Sequence, residues 1–284
     1  MHTWIEISKS ALINNLAVFR QEASPANVMP VIKSNAYGHG LKEVAEILNA
    51  DQNIEWIGVN SLVEAEDLRG FGYNRKILIV GPTFESDFDK ILELDVRFVL
   101  GHFHLLEAWL KLENPPVCHI KIDTGMSRQG FTLRESPAAA SLIKSSKHGF
   151  DKVEAMSTHF ANVEDVLEHD YANLQLAEFE EAVKVFKNNG FDGFTHAASS
   201  ASTLLLPTSR FDLVRVGISL YGLWPSKATR LSYKGSHSSM ANLKPVLCWK
   251  TKIAQIKDVE AGKYVGYGCS FRAQKDMKLA VLPV

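Results

Sequence analysis

Short apolar runs alternate with amphipathic stretches between residue 8 and residue 218. The apolar runs predict eight buried strands, at 29–33, 56–59, 76–80, 97–100, 118–123, 153–159, 194–198 and 213–218. Apolar positions three and four residues apart predict helices between them, at 8–23, 41–48, 62–69, 88–94, 104–112, 136–146 and 171–187. The segment 201–212 fits neither pattern clearly.

Strict alternation of strands and helices predicts a parallel sheet in an α/β domain. Eight repeats favour a closed (β/α)8 barrel, and an open doubly wound sheet is the alternative. A barrel would place its reactive residues at the carboxyl ends of the strands, all on one face.

The pattern changes after about Tyr233. Residues 234–239 predict a loop or linker, and strand-like pieces without long helices follow at 246–253, 255–259, 264–265 and 279–282. We therefore predict a barrel domain at 1–235 and the beginning of an all-β domain at 236–284. The chain stops at Val284 inside an apolar run, so a truncated protein is expected.

Composition narrows the function classes. The net charge of −1 over 284 residues predicts neither a nucleic-acid nor a membrane surface. No apolar run approaches the ~20 residues that cross a bilayer. Three distant cysteines, Cys118, Cys248 and Cys269, fit a reducing cytoplasm better than a disulfide framework or a zinc site. We expect a cytoplasmic protein without a metal.

The apolar run 28–32 ends on Lys33. Such a lysine commonly extends its amine to solvent, but a partly desolvated amine loses its proton readily and can bond covalently to an aldehyde. Tyr37, four residues later, could hold a phosphate oxygen, and Gly38 and Gly40 permit a tight turn. This combination predicts an attachment site for pyridoxal phosphate (PLP) on Lys33.

Four other residues each allow a structural and a functional interpretation. Lys121 would be an inward charge in the barrel and needs a partner. Arg128 is either a solvated loop residue or a donor to the cofactor's phenolate oxygen and a substrate carboxylate. His159 is either a core residue or a group that packs on the cofactor or orients an acid–base partner. Tyr267, between two glycines, is either packed in a turn or presented on a tight loop.

The ends of the last two predicted strands suit a phosphate. Residues 195–200 carry small and hydroxyl side chains that include Ser200. Gly217 and Ile218 could offer backbone N–H groups, and barrel enzymes commonly bind phosphate near these strands. Arg215 lies within the apolar eighth strand, where it needs a partner.

Together these stretches resemble alanine racemase, a fold-type III PLP enzyme. The resemblance covers essentially the whole chain and rests on residues 3–7, 33–40, 123–126, 158–161, 214–218 and 266–268. It implies PLP-dependent interconversion of L- and D-alanine, which supplies D-alanine for cell-wall peptidoglycan. It also implies a homodimer with active sites at the interface.

The resemblance implies a role for each residue. Lys33 would carry the cofactor and act as one base, and Tyr267 would act as the second base by reaching into the partner subunit's barrel. The resemblance implies phosphate contacts from Tyr37, Ser200, Gly217 and Ile218. It implies that Arg215, supported by His196, contacts the ring nitrogen, and that His159 bonds to the tyrosine base. It also implies that Arg128 contacts the phenolate oxygen and the substrate, and that a carbamate on Lys121 pairs with Arg128.

The chain departs from the family at two points. Ser199 stands where many members have Asn, and family chains continue beyond Val284. Because the further residues complete the β domain and the site, a chain ending at Val284 is expected to be poorly active or to dimerise poorly.

Three rival functions remain. A racemase of broader specificity would differ in its pocket-lining residues. A non-catalytic PLP-binding barrel would lack a β domain, so residues 245–284 with Tyr267 argue against it. A PLP-dependent decarboxylase of basic amino acids would need an acidic group at the ring nitrogen, which Arg215 contradicts.

Overall fold

The structure is a computed structural model that describes residues 2–163, 170–236 and 241–284. It contains two compact units: one is Lys9–Val246, and the other consists of Met1–Ser8 and Leu247–Val284. These boundaries differ from the predicted 1–235 and 236–284 because the first strand pairs with the C-terminal segment. The backbone of Thr3–Ile7 runs antiparallel to Leu247–Thr251.

The unit Lys9–Val246 is built on parallel strands that follow the predicted apolar runs. In chain order after β1 (Thr3–Ile7), they are β2 (Asn27–Pro30), β3 (Trp56–Val59), β4 (Lys76–Ile79), β5 (Arg97–Leu100), β6 (Cys118–Asp123), the short β7 (Phe131–Thr132), β8 (Val153–Ser157), β9 (Phe194–His196) and β10 (Leu213–Val216). Strands β3, β4, β5, β6, β8 and β9 are neighbours in that order, and β7 pairs with β6.

Backbone hydrogen bonds close this sheet into a barrel. Strand β10 pairs in parallel with β2, the Ile32 N–H donates to the Gly58 carbonyl at 2.8 Å, and the Arg215 N–H donates to the Ala198 carbonyl at 3.0 Å. These bonds join β2 to β3 and β9 to β10. The predicted (β/α)8 barrel is therefore confirmed, and the open sheet is excluded.

Nine α-helices are present in the described residues. They are α1 (Lys9–Ala23), α2 (Leu41–Asn49), α3 (Leu62–Gly70), α4 (Phe88–Glu93), α5 (Phe103–Lys111), α6 (Ser136–Lys144), α7 (Asp170–Asn188), α8 (Ser200–Leu205) and α9 (Lys227–Ser236). Short 3₁₀ turns lie at Glu85–Asp87, Pro207–Ser209 and Ile218–Tyr221. None of the helices in the described residues is long and apolar enough to cross a membrane.

Two segments differ from the helix pattern predicted. Helix α8 covers the first part of the unclear segment 201–212, which continues with the 3₁₀ turn Pro207–Ser209. Helix α9 extends through 234–236, where a loop is predicted. The Ser226 hydroxyl accepts a hydrogen bond of 2.9 Å from the Thr229 N–H, so it caps the start of α9. The remainder of that predicted loop, 237–239, lies outside the described residues.

The barrel interior is filled by large apolar side chains. Met29, Trp56, Leu78, Val99 and Leu213 form one buried cluster. These residues come from non-adjacent as well as adjacent strands, which places them inside the barrel. The packed interior leaves the carboxyl ends of the strands as the place for a site.

The unit formed by Met1–Ser8 and Leu247–Val284 is β-rich, as predicted. Besides the pair β1 and β11 (Leu247–Thr251), it contains β12 (Gln255–Val259) paired with β15 (Met277–Val281), and β13 (Tyr264–Val265) paired with β14 (Phe271–Arg272), all antiparallel. A short 3₁₀ turn at Tyr267–Cys269 connects β13 to β14.

Candidate active site

A left-handed turn, Lys33–Tyr37, follows β2. Strand β2 ends at Pro30, so Lys33 begins this turn and does not end the strand as predicted, because the backbone turns away from the sheet. The next four residues, Ser34 to Tyr37, all have φ of 54°. A non-glycine residue in this conformation costs roughly 1–2 kcal/mol, so the turn needs external bonds. It places the side chains of Lys33 and Tyr37 on one cavity.

The cavity lies at the carboxyl ends of the strands and has a volume of about 1140 Å³. All described residues that line it belong to the barrel unit. It brings together ten of the predicted site residues, namely Lys33, Tyr37, Lys121, Arg128, His159, His196, Ser200, Arg215, Gly217 and Ile218. His159 and Ile218 follow strands that end earlier than predicted, at Ser157 and Val216.

Tyr267 is the predicted residue that lies elsewhere, in the β-rich unit. It stands between Gly266 (φ 78°) and Gly268 (φ 71°), two backbone conformations that favour glycine. The relative exposure of its side chain is 104%. The loop therefore presents the phenol to solvent, and the packed-aromatic interpretation is wrong.

Arg215 is held inside the barrel by five hydrogen bonds. Its Nη1 donates to His196 Nδ1 at 2.7 Å and to the His196 carbonyl at 3.0 Å. The two N–H groups of its Nη2 are shared among His159 Nδ1 at 3.1 Å and the carbonyls of Thr158 and Ala197 at 2.7 and 2.8 Å. The Nε–H of Arg215 has no partner among the described residues, and the side chain lines the cavity.

This arrangement determines the protonation of both histidines. A guanidinium can only donate, so each Nδ1 accepts and each neutral ring carries its proton on Nε2. Burial, followed by the charge of Arg215, lowers the pKa of His159 and of His196 well below the usual value. Burial and then Arg128 lower the pKa of Arg215 to about 10, so it remains charged near neutral pH.

The pKa values of the two lysines that line the cavity are both lowered, which favours the neutral amine. Burial and then Arg128 lower the pKa of Lys33, while Glu64 opposes the shift. Burial, followed by Arg215 and Arg128, lowers the pKa of Lys121 well below its usual value. A neutral amine is the nucleophilic form, so both lysines can react with carbonyl carbons.

The third part of the site is a group of polar atoms around Gly217. The Gly217 N–H donates to Ser200 Oγ at 3.1 Å. A Cβ at Gly217 would collide with the hydroxyl of Tyr37, so only glycine lets this hydroxyl approach the backbone. The Tyr37 ring packs against that of Tyr221 at 5.2 Å between centroids. Burial raises the pKa of Tyr37, which keeps the phenol as a donor.

Sequence reasoning assigned no role to three residues that contact this site. Glu64 binds the backbone next to Lys33, His119 contacts His196, and Tyr221 supports Tyr37. Tyr221 lies in the polar stretch that follows β10, so its position was a detectable signal, whereas His119 lies near the start of β6. Glu64 lies on a surface helix, and its sequence context contains nothing that separates it from a solvated carboxylate.

The fold and site define a barrel enzyme whose reactive amines and buried guanidinium lie at the carboxyl ends of the strands. The family model described as the N-terminal domain of alanine racemase matches residues 7–225, and the one described as the C-terminal domain matches 246–284. The chain belongs to the alanine racemase family and is an amino-acid isomerase.

Individual relatives agree with this assignment. The alanine racemase of Leptospira interrogans is 39% identical over 289 residues, which cover 99% of this chain and 72% of that protein. That of Methanococcus maripaludis is 33% identical, covering 99% and 74%. The alanine racemase structure from Clostridium difficile 630 matches with a TM-score of 0.86 at 26% identity, covering 100% and 73%. The Bacillus anthracis structure, described with bound L-Ala-P, matches with a TM-score of 0.82 at 32% identity, covering 99% and 72%.

Proposed function

We propose that this chain interconverts L-alanine and D-alanine with pyridoxal phosphate held covalently on Lys33. Membership of the alanine racemase family supports the reaction class. The observation that carries the proposal is the presence in one cavity of the Lys33 amine, the Tyr37 and Ser200 hydroxyls and the Arg215 guanidinium. Such an enzyme would supply D-alanine for cell-wall peptidoglycan.

The donor set fits a phosphorylated pyridine aldehyde. The Lys33 amine would hold the aldehyde carbon, and Tyr37, Ser200 and the backbone N–H groups of Gly217 and Ile218 would hold the phosphate. The close approach of Tyr37 to Gly217 supports this, because a Cβ there would fill the space of the hydroxyl. When bound, the cofactor would supply an electron sink that makes the Cα–H of the amino acid acidic.

Arg215 would face the ring nitrogen through its Nε–H, which has no partner among the described residues. Its two terminal nitrogens are already held by His196, His159 and backbone carbonyls. With a pKa of about 10, Arg215 keeps its proton near neutral pH and can offer only a hydrogen bond. A cofactor ring with an unprotonated nitrogen withdraws less electron density than a protonated one, which would suppress reprotonation at the wrong carbon.

Racemisation needs a base on each face of the substrate, one to remove the Cα proton and one to return a proton. Lys33 would serve one face, and Tyr267 of a second copy of the chain would serve the other. The full exposure of Tyr267 supports a role outside its own unit. Exposed Trp249, Ile256 and Phe271 in the same unit support a homodimer interface.

His159 would orient that phenol. Its Nδ1 accepts from Arg215, so its Nε2–H remains to donate to the Tyr267 oxygen. Because the pKa of His159 is well below its usual value, the ring stays neutral and does not compete as an acid. His159 would therefore hold Tyr267 without exchanging a proton with the substrate.

Lys121 and Arg128 would complete the substrate side of the site. The neutral Lys121 amine can add to CO2 and release a proton, which converts a buried neutral amine into a carbamate anion. That anion would pair with Arg128, whose charge already acts on Lys121. Arg128 held in this way could donate to the cofactor's phenolate oxygen and to the substrate carboxylate.

The test is direct. Protein reconstituted with pyridoxal phosphate and reduced with borohydride should yield a labelled peptide containing Lys33. Incubation with L-alanine in deuterated water should give D-alanine with deuterium at Cα. Lys33→Arg should abolish both results, and Lys42→Arg, at an exposed lysine on α2, should change neither. Label on another lysine, or release of CO2 from a basic amino acid, would refute the proposal.

A further inference from the structure

A row of hydrogen-bonding groups continues from Arg215 through the barrel interior. Beyond the bond from Arg215 to His196, the His196 Nε2 lies 3.0 Å from His119 Nδ1. The His119 Nε2 in turn lies 3.7 Å from Glu154 Oε2. We call Arg215, His196, His119 and Glu154 the interior row. It runs from the cavity to the amino-terminal half of the strands, since His119 and Glu154 are near the starts of β6 and β8.

Both ends of the interior row impose the same direction on its protons. Arg215 can only donate, so His196 accepts at Nδ1 and donates from Nε2. His119 must then accept at Nδ1 and carry its own proton on Nε2. At the far end the Glu154 carboxylate can only accept, and it faces that Nε2–H. One arrangement of protons therefore fits both ends: the contacts from Arg215 to His196 and from His196 to His119 are hydrogen bonds, and the 3.7 Å contact from His119 to Glu154 is electrostatic.

The two histidines are sealed from water and stay neutral. The side chain of His119 is 0% exposed and that of His196 is 1% exposed. The rings of Trp56 and Phe194 pack edge-on against His119, with centroids at 5.2 and 5.4 Å. Burial is the main cause that lowers the pKa of each histidine, and a neutral ring has a choice between two tautomers. Its neighbours therefore decide which tautomer forms.

Glu154 is a fixed anion. Its oxygens accept from Lys76 Nζ at 2.9 Å and from Arg97 Nε at 3.1 Å. Burial opposes its ionisation, but hydrogen bonds involving His119 and Lys76 lower its pKa to about 2. The carboxylate is thus charged at every pH at which the protein would work.

We propose that His119 and Glu154 are positioning residues for Arg215, because they hold the His196 ring in the orientation in which its Nδ1, the acceptor that Arg215 requires, faces the guanidinium. With His196 in the other tautomer, an N–H would face Arg215 Nη1 and push the guanidinium from its place. The row itself stands independently of the reaction, and its effect on catalysis rests on the function proposed above.

The test compares two near-isosteric variants of His119. In His119→Asn an amide oxygen can take the place of Nδ1 and accept from His196. The leucine of His119→Leu has a volume similar to that of histidine but offers no acceptor. Nitrogen-15 NMR of histidine-labelled protein, without added substrate, distinguishes the protonated from the bare ring nitrogen. We expect His196 to carry its proton on Nε2 in all three proteins, because Arg215 fixes that tautomer. The His196 Nε2–H resonance should shift in His119→Leu, where the proton loses its acceptor, and stay near its wild-type position in His119→Asn.

Racemase turnover gives the second measurement. His119→Leu should lower kcat by on the order of 10- to 100-fold, the effect typical of a group that orients a site residue. His119→Asn should retain kcat within a few-fold. An unchanged His196 resonance in His119→Leu, or an equal loss of kcat in both variants, would overturn the proposal. The expected resonances without any racemase activity would uphold the row and refute the proposed function.

A second pair tests the far end and remains informative if His119→Leu does not fold. Glu154→Gln removes the fixed anion, and Glu55→Gln removes the other carboxylate that binds Lys76, at 2.9 Å, without touching the row. Glu154→Gln should shift the His119 Nε2 resonance, because the N–H loses the anion that it faces, and Glu55→Gln should leave the wild-type spectrum. An unchanged His119 Nε2 resonance in Glu154→Gln would contradict the role of Glu154.

Discussion

The carboxylate of Glu64 accepts a hydrogen bond of 2.6 Å from the backbone N–H of Ser34, the residue next to Lys33. Its second oxygen accepts from the Asn60 N–H at 2.7 Å. One side chain on α3 therefore joins the loops that follow β2 and β3. Since the left-handed turn is unfavourable in itself, this carboxylate helps to hold the conformation that places Lys33 on the cavity.

Glu64→Gln should weaken cofactor binding by about tenfold, which corresponds to about 1.4 kcal/mol. The neutral amide has one acceptor oxygen where the carboxylate has two charged ones. One of the two backbone N–H groups therefore loses its acceptor, and the other keeps only a neutral hydrogen bond. Titration of the apoprotein with pyridoxal phosphate, followed by absorbance, measures the change. Glu66→Gln is the control, because Glu66 on the same helix pairs with Lys90 at the surface. Equal affinities for both variants would show that Glu64 does not hold the turn.

The fold was largely predictable because each strand and helix of a parallel barrel produces a recognisable local pattern of apolar and polar residues. Each barrel strand is a short apolar run between turns, and the observed strands follow those runs. The left-handed turn was not predictable, because Ser34, Asn35 and Ala36 have positive φ although none of them is a glycine. The pairing of Thr3–Ile7 with Leu247–Thr251 depends on residues far apart in sequence, which no local pattern contains.

The site was predictable where a polar residue interrupts an apolar strand end, as at Arg215 and Lys121. Burying such a charge is unfavourable without a partner, so its position alone indicates chemistry. Glu64 and the far end of the interior row were missed for the opposite reason. A glutamate on a helix or at the start of a strand is ordinary in sequence, and only its three-dimensional neighbours give it a role.

Gly217→Ala should weaken the phosphate subsite, because the new Cβ would displace the Tyr37 hydroxyl. We expect a tenfold or greater loss of affinity for pyridoxal phosphate, with a change in unfolding free energy of about 1–3 kcal/mol from overpacking.

A double-mutant cycle identifies the collision as the cause. Tyr37→Phe removes the hydroxyl that Gly217→Ala would strike, so the double variant should lose less affinity than the two single losses combined. Gly70→Ala, where a Cβ meets nothing within 4 Å, is the matched control. Additive losses in the cycle would exclude contact between the two positions.

Lys121 should make stability depend on pH. Its folded pKa is lowered well below the usual value, so between that pKa and the unfolded value of about 10.4 the unfolded chain binds more protons. The free energy of unfolding must therefore increase as the pH rises through this window. Lys121→Met removes the penalty, so its advantage over wild type in CO2-free buffer should be largest at low pH and shrink towards pH 10.

Bicarbonate separates the proposed carbamate from a plain amine. It should raise the melting temperature of wild type, because the carbamate places an anion beside Arg128 in place of an amine that cannot pair with it. It should not raise the melting temperature of Lys121→Met. Lys144→Met, at the end of α6, controls for unspecific effects of the ion. An equal response of wild type and Lys121→Met would exclude a carbamate at this position.

Tyr267→Phe should slow proton abstraction from one alanine enantiomer far more than from the other. The phenol would serve one face of the substrate and Lys33 the other, so only one direction loses its base. Single-turnover exchange of the α-proton in deuterated water, measured separately for each enantiomer, gives both rates. Tyr264→Phe is the control, since Tyr264 is an exposed phenol in the same unit. Equal slowing for both enantiomers would contradict the two-base scheme.

Mixing two inactive variants should restore activity if Tyr267 acts on the barrel of a second copy. In a symmetric dimer, a chain with Lys33→Ala and a chain with Tyr267→Ala form one intact site, built from the lysine of one and the tyrosine of the other. Random exchange of subunits should therefore recover roughly a quarter of the wild-type sites, measured as racemase activity after mixing and re-equilibration. Mixing Lys33→Ala with a Lys33→Ala, Tyr267→Ala chain should recover none. If the first mixture also stays inactive although mixed dimers are present, Tyr267 does not act across the subunits.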